Sequence, residues 1–183
     1  MSNRRSRIRG IRRVIAAAAA LGIGFMWGGP AFADQLPIDL ADGVDARFDG
    51  AWIEDQSGSA LGAAGDVNGD GYPDMIIGAG GADWSDRTDA GGAYVVFGSA
   101  TPGNLDLGTP GKAAITILGA ASYDYAGWSV AGAGDFNNDK YADVIVGAPF
   151  DGRATDLDEG ATYVVFGSEK PDDVDLASLG DQG

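Results

Sequence analysis

Asp66-Val67-Asn68-Gly69-Asp70-Gly71-Tyr72-Pro73-Asp74 returns 69 residues later as Asp135-Phe136-Asn137-Asn138-Asp139-Lys140-Tyr141-Ala142-Asp143. The match runs on without a gap. Between Asp66–Ser99 and Asp135–Ser168 there are 16 identities in 34 positions, ending in Tyr94-Val95-Val96-Phe97-Gly98-Ser99 on Tyr163-Val164-Val165-Phe166-Gly167-Ser168. The register also holds outside that window, with Gly50-Ala51 on Gly119-Ala120, Pro102 on Pro171 and Asp106-Leu107 on Asp175-Leu176. A fixed period of this length marks a chain built from repeated supersecondary units.

Within a unit the apolar runs are short, β-branched or aromatic, and bounded by Gly, Asp or Asn. They are Trp128–Ala133, Val144–Val146, Thr162–Phe166 and Ile115–Leu118. Such runs read as strands, and no window after the N-terminal segment keeps apolar residues at helical spacing. The expected fold class is all-β, with four antiparallel strands per unit. That is the blade of a β-propeller, each blade packing both faces against its neighbours. An eight-stranded sandwich is the alternative.

The two acidic nonapeptides offer side-chain oxygen at positions 1, 3, 5 and 9. Calcium takes six to eight oxygens, and a tight loop with carboxylates on alternate residues aims them at one centre, a backbone carbonyl at position 7 filling a gap. The candidate ligands are therefore Asp66, Asn68, Asp70, Tyr72 and Asp74 in the first loop, with Asp135, Asn137, Asp139, Tyr141 and Asp143 in the second. Two Ca2+ sites are expected. An Asx turn that bonds its own backbone without metal is the alternative. An EF-hand is not: its position-12 glutamate would fall at Ile77 and Val146, inside strands. Position 6 needs a backbone conformation that Gly71 adopts freely and Lys140 only at a cost, so the first site is expected to bind more tightly.

Charge supports a cation as partner. The chain has 27 acidic and 12 basic residues, no histidine and no cysteine. Six of the twelve cations lie at or before Arg13, ahead of an apolar run Val14–Trp27 and of Ala31-Phe32-Ala33. This is the order of an export signal over residues 1–33, cut after Ala33, and the run is too short to span a bilayer. Arg12-Arg13 leaves twin-arginine export as an alternative to the general route. The remaining 150 residues keep every acid and half of the bases, a net −21. Nucleic acid is an unfitting partner for such a polyanion. The absent histidine and cysteine exclude a Ser-His-Asp triad, thiol catalysis, zinc-thiolate sites and disulfides. No G-x-S-x-G elbow is present, since Gly127-Trp128-Ser129-Val130-Ala131 fails at its last position. The chain is expected not to be an enzyme.

Phe97-Gly98 and Phe166-Gly167, Gly147-Ala148-Pro149, and the D-x-N-x-D-x-Y-x-D loops resemble FG-GAP repeats, the units of the integrin α-subunit propeller and of exported bacterial proteins. The first repeat departs in having Gly78-Ala79-Gly80 for Gly-Ala-Pro. The resemblance implies one blade per repeat, calcium in the loop joining its first two strands, and ligand contacts on the opposite face. The organisation read from this is residues 1–33 signal peptide, 34–46 resembling the end of a preceding repeat, 47–114 the first blade and 115–183 the second. In the middle segment Pro37-Ile38-Asp39-Leu40 resembles Asn104-Leu105-Asp106-Leu107. Family propellers close with about seven blades, so two units imply a partial propeller. It would be a fragment of a longer product, a chain that assembles with copies of itself, or an open pair of blades.

The implied function is a secreted, periplasmic or cell-surface binding and adhesion module. Its partner would be an extracellular protein or glycan; Trp84, Asp86 and Arg87 or the matching insert Phe150–Glu159 are the candidate contacts, with an ordinary solvated loop as the favoured reading of them. Trp128 and Tyr125 are expected to pack between blades. The alternatives are an accessory propeller of a longer secreted hydrolase or polysaccharide-degrading enzyme, and a self-assembling surface structural protein.

Overall fold

Short β-branched segments separated by Asp/Asn/Gly turns cannot bury a core alone, and they do so here by stacking two sheets. The computed structural model describes residues 45–84, 86–152 and 159–179. In chain order the strands are β1 (Phe48–Asp49), β2 (Ala60–Gly65), β3 (Asp74–Ala79), β4 (Gly92–Val96), β5 (Leu105–Asp106), β6 (Ala114–Leu118), β7 (Ser129–Gly134), β8 (Asp143–Ala148), β9 (Ala161–Val165) and β10 (Val174–Asp175), followed by a 3₁₀ turn, Leu176–Ser178. The export segment and Pro37–Leu40 lie outside the described residues.

The strands β2, β3, β4 and β6 pair antiparallel in that order, which is the expected four-stranded blade. The second unit repeats the first three, β7-β8-β9. Ile115–Leu118, placed by the sequence reading at the opening of the second unit, is hydrogen-bonded into the first sheet beside β4. A repeat read along a chain has no intrinsic starting point, so its phase is set by pairing between distant strands. Two short parallel pairs join neighbouring units. Phe48 and Asp49 pair with Leu105 and Asp106, while Ile117 and Leu118 pair with Val174 and Asp175. These two pairs are related residue for residue by the 69-residue period.

Alternation along each strand sends its side chains to two sides. Ile76, Val95, Ile115 and Ile117 of the first sheet meet Val144, Val146 and Val165 of the second in the main core. The opposite side of the first sheet carries Ile77, Tyr94, Val96 and Leu107, with Phe48 and Trp84 packed on them. Each fully buried Val or Ile stabilises the stack by about 1.5–3 kcal/mol. The innermost strands approach so closely that a Cβ on Gly132 would lie 2.5 Å from the Ala63 carbonyl. Glycine at that point is what lets β7 reach β2.

Candidate metal centre

The acidic nonapeptides are the loops β2–β3 and β7–β8. In the first, the Asp70 N–H is shared between Asp66 Oδ1 and Asn68 Oδ1 at 3.0 Å each. Gly71 N donates to Asp66 Oδ2 at 3.0 Å and Tyr72 N to Asp70 Oδ1 at 2.9 Å. The second loop reproduces each bond. Asp139 N reaches Asp135 Oδ1 at 2.9 Å and Asn137 Oδ1 at 3.1 Å, Lys140 N reaches Asp135 Oδ2 at 2.9 Å, and Tyr141 N reaches Asp139 Oδ1 at 2.9 Å. Positions 1, 3 and 5 are thus drawn together around each turn. Position 6 is left-handed in both loops, with φ +88° at Gly71 and +84° at Lys140.

Position 9 behaves differently from the other candidates. Asp74 is buried; its Oδ2 accepts from Val67 N and its Oδ1 from Gly98 N, each at 2.8 Å. Asp143 is fully buried and accepts from Phe136 N at 2.7 Å and Gly167 N at 2.9 Å. Each of these carboxylates clamps the start of its loop to the glycine of the Phe-Gly dipeptide after the third strand. Burial pushes the Asp74 carboxyl above its ordinary value, against the lowering effect of the Gly98 and Val67 N–H groups. In the sequence the ninth-position aspartate and the Phe-Gly dipeptide stand 24 residues apart, and nothing local to either signals their bond.

The donor set is all oxygen, hard and anionic, which suits Ca2+ over softer metals. Among the described residues no group of three or more acidic side chains already forms a metal cage. The oxygens are held instead by loop N–H groups and by the Asn68 and Asn137 amides, whose Nδ2 atoms donate to Asp70 Oδ2 and Asp139 Oδ2 at 3.0 and 2.7 Å. An arriving cation would take over these last two bonds.

Asp55 and Asp124, also 69 apart, are buried and accept from Trp52 N at 3.0 Å and Ala121 N at 2.9 Å; their identity in register was the available signal. Arg87, read from the sequence as a solvated loop residue or a partner contact, is engaged within the chain. It forms a bidentate pair with Asp175 at 2.7 and 2.9 Å and donates to Gly119 O at 2.6 Å. Trp84 likewise donates to Gly91 O and packs on Tyr94. Asp86 is exposed. Trp128, expected between blades, is 57% exposed, and Tyr125 stands edge-on to it and to Phe150 at centroid distances of 6.1 and 5.6 Å. These aromatics lie before β7 and after β8, at the strand ends opposite the acidic loops.

A family model described as "FG-GAP repeat" matches residues 57–96 and 126–165, two segments themselves 69 apart. Integrin alpha pat-2 of Caenorhabditis briggsae is 37% identical over 146 residues, 74% of this chain and 11% of that protein. Phosphatidylinositol-glycan-specific phospholipase D of Bos taurus is 35% identical over 111 residues, 57% of this chain and 12% of its own length. Integrin alpha-5 of Xenopus laevis is 30% identical over 140 residues, 71% of this chain and 12% of its own length. The chain thus spans about a tenth of the length of these relatives. With two matched repeats, the shared period and blade-type sheets, the chain belongs to the FG-GAP repeat proteins.

Proposed function

We propose that this chain is an exported, calcium-binding propeller module that recognises an extracellular protein or glycan and has no catalysis of its own. The observation that carries the reading is the pair of acidic loops with matching hydrogen-bond patterns at equivalent ends of two stacked sheets. Asp66, Asn68, Asp70 and the Tyr72 carbonyl would hold one ion, and Asp135, Asn137, Asp139 and the Tyr141 carbonyl the other. Asp74 and Asp143 would close each site while keeping their backbone bonds, since a carboxylate oxygen has two lone pairs. Bound calcium would neutralise crowded carboxylates and cross-link each turn in a chain without disulfides. The exposed Tyr123 and Trp128, with Tyr125 and Phe150 beside them, support ligand contact at the opposite end, because rigid aromatics supply contact area at low entropic cost. The basic start and apolar run support export to the periplasm, cell surface or medium, and among the described residues no helix is long and apolar enough to cross a membrane.

Calorimetric titration of the chain with Ca2+ tests the metal. Two sites of about 10⁻⁴–10⁻³ M are expected. Calcium at tenfold excess over Kd stabilises the fold by about 1.4 kcal/mol per site. Asp70→Ala and Asp139→Ala should each remove one site, the second removing the weaker. Position 9 is the wrong place for this test, because its loss also strands buried N–H groups. Absence of calcium heat, with no calcium-dependent rise in melting temperature, would refute the metal. For the ligand, a glycan array probed with the labelled chain and with Trp128→Ala should show binding that the variant loses. The similarity to the phospholipase favours a second reading, that the module serves a larger secreted enzyme. Activity on a phosphatidylinositol-glycan substrate by this chain alone would overturn its non-catalytic assignment.

A further inference from the structure

β1 and β9 are each half of a pair that the 69-residue period predicts. In the first sheet the outer strand β6 bonds along β4, with Val95 opposite Ile115 and Ala93 opposite Ile117. Among the described residues no strand borders β9 on that side, although Ala161–Val165 is the counterpart of β4. Conversely, β1 and the residues before it, Asp45–Asp49, are the counterpart of β6. Phe48–Asp49 already makes the parallel bond to β5 that β6 makes to β10, and among the described residues no strand borders its other edge.

The flanks match in the same way. Phe136 is 69% exposed and Phe166 52%, whereas their counterparts Val67 and Phe97 belong to the core between the two sheets. On the other flank Leu61 is 67% exposed, whereas its counterpart Val130 packs in that core. One end of the stack therefore displays the surface that the other end is built to cover.

We propose that a second copy of this chain occupies this place, Asp45–Asp49 of one molecule adding antiparallel to the free edge of β9 in another. The register follows from β4 and β6: Ala46 opposite Val164 and Phe48 opposite Thr162. The association is heterologous, head to tail, so it propagates or closes into a ring, and it satisfies an edge that otherwise exposes a row of backbone groups. It goes beyond the binding function and does not depend on it. Two positions depart from the internal template. Pro73 has no N–H with which to repeat the 2.9 Å bond from Ala142 N to Asp66 O, and Ala63 stands where the close approach of Gly132 is needed. The inner strands of two copies thus sit farther apart than β2 and β7, and the added outer strand carries the contact. With a formal charge of −15 on each chain, association strengthens as salt screens the repulsion.

The chain has no cysteine, so single cysteines report the register. Full-length Ala46→Cys and Val164→Cys chains are mixed under a glutathione redox buffer. Directly opposed strand positions have Cβ atoms about 4.5–5.5 Å apart and diagonal ones about 7–8 Å, and only the former approach disulfide reach. The mixed disulfide should form in roughly tenfold higher yield than between Ala46→Cys and Thr162→Cys. The unsubstituted chain, sedimented at increasing concentration in 0.5 M salt, should shift to larger species. Equal yields from the two mixtures, or a monomer at every concentration, would overturn the proposal.

Discussion

Replacing Lys140 with glycine removes a Cβ from a backbone held at φ +84°, where the first loop already has Gly71 at +88°. A non-glycine residue in the left-handed region costs about 1–2 kcal/mol. Glycine gives back about 0.4–1 kcal/mol by loosening the unfolded chain. The Lys140 N–H bond to Asp135 Oδ2 at 2.9 Å is a backbone bond and survives the change. The expected net gain is about 0.5–1 kcal/mol, or roughly 1–4 °C in melting temperature for a domain of this size. The assay is a thermal melt followed by circular dichroism in chelator, so that metal contributes nothing. Lys140→Ala is the control, since it removes the charge and keeps the Cβ. A Lys140→Gly chain no more stable than Lys140→Ala would refute the strain argument. The reciprocal Gly71→Lys chain should lose about what Lys140→Gly gains.

Three further outcomes are expected. Tyr94 is buried with its hydroxyl unpartnered, and burial, with smaller effects from Asp55 and Asp106, pushes it up to about 12, whereas its counterpart Tyr163 donates to Asp151. Tyr94→Phe should therefore leave stability unchanged or raise it, while Tyr163→Phe should cost about 1.5–3 kcal/mol in urea unfolding. Arg87 holds the Asp175 carboxyl below its ordinary value of 3.8, helped by Ala177 N–H. A lowered folded pKa means that this contribution is fully present above 3.8 and is lost as pH falls through the folded value. Because Asp175 is 42% exposed, solvent screening holds the pair to about 1 kcal/mol. Asp175→Asn should cost that much at pH 7 and progressively less in unfolding curves taken below pH 3.8. Gly132→Ala should destabilise the sheet stack by about 1–3 kcal/mol through overpacking, measured by chemical unfolding, whereas Ala131→Gly beside it should cost under about 1 kcal/mol.

The strands and loops were legible because their determinants are local. Expected Trp128–Ala133, Val144–Val146 and Thr162–Phe166 appear as Ser129–Gly134, Asp143–Ala148 and Ala161–Val165. The ends move by a residue or so, or by two at Ala148, because hydrogen bonding to the neighbour sets where a strand stops. The acidic loops were legible for the same reason: side chains at alternate positions of a tight turn meet their own backbone, as Asp66 and Asp135 do. The loop partners were not legible. Trp84 and Arg87 are polar-tipped residues in a variable insert, a pattern shared by recognition loops and internal clamps. Only the arrival of Asp175, 88 residues away, distinguishes the two.

From the sequence by itself follow the all-β class, the 69-residue period, the paired acidic loops and the absence of thiol or histidine chemistry. These rest on composition and on contacts within a few residues. The tertiary structure alone decided that Ala114–Leu118 completes the first sheet, that Asp74 and Asp143 tie their loops to Gly98 and Gly167, and that β9 keeps an open edge among the described residues. The physical reason is common to all three. A repeat makes equivalent segments chemically alike, so pairing among them is chosen by which edges and faces chain connectivity brings together, and that choice leaves no mark in the local sequence.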